Sequence, residues 1–208
     1  MQLSSRSFAD GAAIPEEFAF AKIDAPRHVT LAANRNPHLA WNDVPPETKS
    51  FALICHDPDV PSRGEDVNQE GREVPAALAR VDFFHWLLWD IPANWREVAA
   101  RSLSDGVTPR GKSGPAAPGG LRHGINDYTG WFAGDADMAG TYFGYDGPAP
   151  PWNDARVHHY VFTVHALDVA KLAVSGEPTG AAVRKTLAEH VLAQARLTGT
   201  YTLNPRLR

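Results

Sequence analysis

The sequence predicts a mainly β fold: an antiparallel β-sandwich with one helix near its C-terminus, built as a single domain over residues 1–208. Two observations carry that prediction. Three stretches, Ser50–His56, Phe83–Ile91 and His158–Asp168, are apolar on both alternating faces, as strands covered on both sides are. Only one stretch, Thr179–Leu197, repeats apolar residues at helical spacing, and it follows the strands in the chain.

Composition narrows the function classes. Of 208 residues, 43% are hydrophobic and 21% charged, ordinary values for a globular protein able to bury a core without staples. A net charge of −4 gives no electrostatic reason to expect nucleic acid or an anionic membrane as partner. The single cysteine, Cys55, excludes an internal disulfide and suits a reducing compartment. Residues 1–20 lack the apolar segment of a signal peptide, and no run is long enough to span a bilayer. A cytoplasmic location without integral membrane contact is the expectation.

In chain order, short strands are expected around Glu17–Ile23 and His28–Ala32. The strand Ser50–His56 stops at Asp57-Pro58-Asp59-Val60-Pro61, where two prolines oppose its continuation and two carboxylates gather. Arg63–Val81 reads as a solvated insertion with a helical turn near Pro75–Arg80. Phe83–Ile91 reads as the next buried strand, with Phe83, His85, Leu87 and Trp89 on one face. From Pro92 to Tyr145 the chain is irregular and glycine-rich, as packed or functional loop systems are. Within it Gly106–Ser113 fits the phosphate-loop pattern GxxxxGK[ST]. Gly114 and Pro115 follow at once and cannot start the helix that loop requires, so it reads as an ordinary loop. The loop Gly147–Arg156 is stiffened by Pro148, Pro150 and Pro151. In the next strand His158, Tyr160, Phe162, Val164 and Ala166 share a face that begins polar and becomes apolar, as when one strand end lines a pocket. Thr179 is a natural N-cap for the helix.

Polar groups therefore collect at strand ends: Asp57 and Asp59, His85, and His158 with Tyr160. Together they supply acceptors, switchable imidazoles and a hydroxyl, a set able to grip a small anion such as a phosphate monoester or carboxylate. Isolated groups of this kind also complete local hydrogen bonds. The alternative function is a metal-dependent hydrolase in which His85, His158 and Asp57 hold zinc. No HExxH or GxSxG pattern accompanies it, and no cofactor is expected.

At these residues the sequence resembles the phosphatidylethanolamine-binding protein family, in its bacterial Raf-kinase-inhibitor-like branch. The segments that carry the resemblance are Asn36–Trp41, Asp57–Ser62, His85–Pro92, Gly144–Pro151 and His158–Asp168, in family order across most of the chain. The resemblance implies a β-sandwich with a small anion pocket, and a binding protein without established catalysis. By position the pocket residues are Asp57, His85, Pro151, His158 and Tyr160, supported by Asp59, Gly147 and Pro150. Val60–Pro61 is expected to be cis, because a strand ending in two carboxylates must turn sharply to aim both inward, and the resemblance implies the same. The resemblance also implies a protein partner such as a kinase or protease. A homodimer is compatible with it. Three departures stand out: His159 replaces the family's usual arginine, Ala149 replaces a glycine of some members, and the Arg63–Val81 insertion is longer than in compact bacterial members. The expected ligand is a phosphate or phosphoryl headgroup, with His85 and His158 as donors and affinity rising as pH falls through about 6.5.

Overall fold

The computed structural model describes every residue from Met1 to Arg208. Short strands β1 (Gln2–Ser4), β2 (Ala21–Asp24), β3 (His28–Leu31) and β4 (Leu39–Asn42) come first. Two long strands follow, β5 (Ser50–Pro61) and β6 (Arg80–Pro92), then the two-residue strands β7 (Glu97–Val98) and β8 (Arg122–His123). A single helical turn α1 (Tyr128–Trp131), strand β9 (His158–Leu167), helix α2 (Gly180–Leu187) and strand β10 (Val191–Tyr201) complete the order.

The main sheet is antiparallel, in the order β10-β9-β5-β6-β8. A three-stranded sheet, β1-β4-β7, and the β2-β3 hairpin stand apart from it. The expected mainly β, antiparallel architecture is present. Alternation along β5 explains the apolar run: Phe51, Leu53 and Cys55 join the larger core, while Ala52 and Ile54 join a smaller one beneath α2. Because both faces of the sheet are covered along Phe51–Cys55, that run shows no polar alternation.

Three expectations change. The helix expected over Thr179–Leu197 ends at Leu187, and Val191–Tyr201 is a strand paired along β9. Thr179 does cap the helix, its side chain accepting from the Ala182 N–H. Past Leu187 the spacing of two wins: Ala195, Leu197, Gly199 and Tyr201 are buried, while Leu192 is 41% exposed. The helix is thus followed by the sheet's edge strand, and that strand makes β9 internal. The Arg63–Val81 insertion is tied down, not free in solvent. Asn153 donates through Nδ2 to the carbonyls of Asp66, Gln69 and Arg72, and Val67 and Val74 are buried. Its expected helical turn is only a hydrogen-bonded turn from Pro75 to Leu78. Third, Val60–Pro61 is trans, and the cis bond in the chain is Gly114–Pro115. No sharp turn is needed there, because β5 runs on through Pro61, pairing Val60 with Val81 and Pro61 with Arg80. Bending comes instead from one extra residue inserted in β5 between Asp57 and Val60.

Candidate functional site

A bulge sets up the cleft. Cys55 pairs with Trp86 and His56 with Phe84, so His85 is an extra residue on β6 without a partner on β5. An extra residue breaks the alternation and re-aims a side chain. Phe83 and His85 consequently face the cleft, while Leu87 and Trp89 enter the core beneath α2. The single shared face expected for these four residues does not exist, and the bulge is why.

His85 is held by its own Nδ1, which donates to the Asp146 carbonyl at 2.8 Å. A carbonyl only accepts, so the proton sits on Nδ1 and Nε2 is left as an acceptor. Burial is the main influence on this ring and lowers its pKa to about 4, against the opposing pull of Asp57. The anchor beneath it is a buried polar cluster. The Asp146 carboxylate accepts from Asn34 at 2.7 Å and Asn126 at 2.8 Å, and pairs with Lys112 at 3.0 Å. Lys112 is the lysine of the phosphate-loop-like segment. It is committed to this carboxylate and to the Tyr145 carbonyl, and no helix follows it.

His158 is clamped on both edges. Its Nδ1 meets Asp57 Oδ2 at 2.7 Å, and its Nε2 meets Asp154 Oδ2 at 3.0 Å. Burial alone would lower its pKa, but the hydrogen bonds to Asp154 and Asp57 outweigh burial and raise it to about 9. Arg80 completes the network with a bidentate pair to Asp154, at 2.5 and 3.0 Å. Two cations and two carboxylates thus alternate, Asp57–His158–Asp154–Arg80, so charge is balanced inside the fold. Both nitrogens of His158 are spent on this clamp. It therefore positions Asp57 and is not the ligand donor expected from sequence. The same commitment leaves His85, His158 and Asp57 short of a zinc triad, and no group of three or more metal-binding side chains is assembled anywhere in the chain.

Tyr160 differs. Its side chain is 1% exposed, and its hydroxyl makes no well-formed hydrogen bond, although the Asp57 carboxylate lies close enough to act on the hydroxyl proton. Burial first, and the charge of Asp57 second, keep its proton on well above the usual phenol range. Its ring lies 5.1 Å from that of His85, which in turn sits 5.5 Å from Tyr128 and 4.9 Å from Phe83.

These side chains open on a cavity of about 730 Å³ whose lining includes Asp57, His85, Pro150, Pro151, His158 and Tyr160. The walls are largely apolar, from Phe20, Val29, Val60, Phe132 and Met138 among others, and Arg27 and Arg63 stand in the lining as well. Two expected residues lie outside it. Asp59 turns away and accepts from the His159 backbone N–H and Nδ1, at 3.0 and 2.8 Å. Gly147 is spent on packing: its N–H donates to Asn34, its carbonyl accepts from Tyr128, and a Cβ there would stand 2.1 Å from the Phe18 carbonyl oxygen. Sequence reasoning missed Asp154, Arg80, Phe83 and Tyr128. Asp154 was marked only by lying four residues before His158, a spacing without meaning outside a helix.

A mainly antiparallel β protein with one large preformed cleft, apolar walls and a buried polar floor is the class this geometry defines. The phosphatidylethanolamine-binding protein family matches residues 4–202, and the chain belongs to that family. The UPF0098 protein YbhB of Escherichia coli K12 is 31% identical over 202 residues, covering 97% of this chain and 100% of YbhB. A UPF0098 protein of Aquifex aeolicus VF5 is 32% identical over 206 residues, covering 97% of this chain and 88% of the relative. Among solved structures, E. coli YbcL, described as a new member of the mammalian PEBP family, superposes with a TM-score of 0.67 at 26% identity, covering 97% of each chain.

Proposed function

We propose that the protein is a ligand-binding module whose cleft receives a small phosphoryl group, free or as a phospholipid-type headgroup. The observation that carries this reading is the Tyr160 hydroxyl, buried without a well-formed hydrogen bond on a side chain that lines the cleft. An unsatisfied buried hydroxyl costs stability that a bound acceptor would recover. His85 Nε2, an acceptor, lines the same cleft. A phosphoryl group carrying one proton suits this pair, since one oxygen accepts from Tyr160 while its P–OH donates to His85. Repulsion by Asp57 is offset because its carboxylate is neutralised by His158 and also accepts from the Asp59 N–H at 2.7 Å. The buried, unpaired Cys55 fits a cytoplasmic setting.

Affinity should rise as pH falls, but not through free imidazoles titrating near 6.5, since the two cleft histidines stand at about 4 and about 9. The proton comes with the ligand, whose second ionisation lies near about 6. Calorimetric titration with O-phosphorylethanolamine at about pH 5.5 and about pH 7.5 tests this. Tyr160→Phe and His85→Ala should each weaken binding about tenfold, while Asp59→Ala leaves it near wild type. Binding indifferent to both cleft substitutions would place the ligand elsewhere and overturn the reading.

A further inference from the structure

We propose a second ligand site on the opposite face of the main sheet, between the sheet and α2, that takes a carboxylate on a short apolar stem. A cavity of about 650 Å³ opens there. Its titratable lining is unusual for a protein of net charge −4: Arg184, Arg196, His56 and His165, with Asp82 as the carboxylate and neutral Thr163 and Gln194 beside them. Register explains the gathering. His56 lies opposite Val161, Ile54 opposite Thr163, and Ala52 opposite His165, while Arg196 on β10 lies opposite Thr163. The two histidines thus occupy two corners of a patch with Arg196 on the neighbouring strand, and Arg184 reaches over it from α2.

Charges and hydrogen bonds are incomplete there. Arg184 pairs with Asp82 at 2.6 Å and lies over the Phe84 ring, 4.6 Å from its centroid. His56 Nε2 lies 3.9 Å from Asp82, too far for a hydrogen bond. Arg196 is left with neither an ion pair nor a side-chain hydrogen bond. The cavity therefore holds two guanidinium charges against one carboxylate, a surplus that one monoanion would balance. In both histidines Nδ1 is shut off from solvent and has no acceptor. A proton is better placed on Nε2, the open ring edge, so both imidazoles present an N–H toward the cavity. Ile54, Val161 and Leu187 supply an apolar floor for a stem. The groups of the phosphoryl-binding cleft, His85, His158 and Tyr160, take no part in this cavity's lining.

NMR of the histidine ring nitrogens, which resolves the two sites, tests the proposal on the intact protein. Hexanoate should shift His56 and His165 saturably while leaving His85 and His158 unmoved, and inorganic phosphate should bind there more weakly. Arg196→Gln should weaken hexanoate about tenfold or more without altering the response of His85 to O-phosphorylethanolamine. Hexanoate that leaves His56 and His165 unmoved into the millimolar range, or that binds Arg196→Gln as tightly as wild type, would overturn the site. Phosphate binding tighter than hexanoate would overturn the carboxylate assignment.

Discussion

Single side chains carry the argument for a ligand. Tyr160 keeps a hydroxyl that is buried without a well-formed hydrogen bond, whereas every polar atom of the His158 clamp is engaged. That contrast separates two substitutions of similar size. Tyr160→Phe should leave the midpoint of chemical denaturation unchanged or slightly higher, because the lost hydroxyl had no well-formed hydrogen bond, even as ligand affinity drops. A destabilisation above about 1 kcal/mol would show that the hydroxyl already hydrogen-bonds to Asp57 in the free protein. His158→Gln removes the cation between two buried carboxylates and should cost about 3–5 kcal/mol by the same measurement. A cost well under that would mean Asp57 and Asp154 are not held by charge.

At the scale of elements, the loop before β9 and the bulge in β6 position everything the cleft presents. The Pro148 carbonyl accepts from the N–H groups of Phe20 and Ala21, and Gly147 packs against the Phe18 carbonyl. A methyl at Gly147 would meet backbone, which cannot swing aside as a side chain does. Gly147→Ala should therefore destabilise by about 1–3 kcal/mol and weaken O-phosphorylethanolamine binding together. Normal affinity in a destabilised variant would show that loop and cleft are not coupled. Thr179→Ala is expected to cost only about 0.5 kcal/mol, since the cap bond is long at 3.4 Å and α2 is held by its buried face. Elements were legible where one period dominated. The strands around Ser50–His56, Phe83–Ile91 and His158–Asp168 are all present, the first two running on by up to five residues and the third ending one residue early at Leu167. Thr179–Leu197 misled because Val191, Leu192 and Ala195 fit a helical spacing while Ala193, Ala195, Leu197 and Gly199 fit a spacing of two. Pairing with β9 decided between them.

For the molecule as a whole, buried histidines of opposite sense shape stability against pH. His85, His123 and His165 have folded pKa values of about 4, all lowered chiefly by burial. The unfolded chain binds protons at these sites near about 6.5, so their contribution is complete above that pH and is lost as pH falls toward 4. His158 behaves oppositely. Its folded value of about 9 makes its contribution complete below about 6.5 and lost as pH rises toward 9. Thermal unfolding across pH should thus show a maximum near about 6.5 with losses on both limbs. The alkaline limb should flatten in His158→Gln and the acid limb should persist. A profile flat between pH 7 and 9 in the wild type would contradict the clamp.

By itself the sequence determined the mainly β class, the three long strands, the stiff loop, and the placing of Asp57, His85, His158 and Tyr160 at strand ends. These follow from local periods, from proline's fixed φ, and from which residue types end an apolar run. Only the tertiary structure decided their roles. The bulge that turns His85 inward depends on pairing across two strands distant in the chain. The clamp on His158 needs Asp57, from 101 residues away, together with Asp154. Protonation is set by burial and neighbours, so one histidine is held neutral and the other charged although both are histidines in apolar strands. Residue type supplies the range of chemistry a side chain can perform, and packing selects the one it does perform.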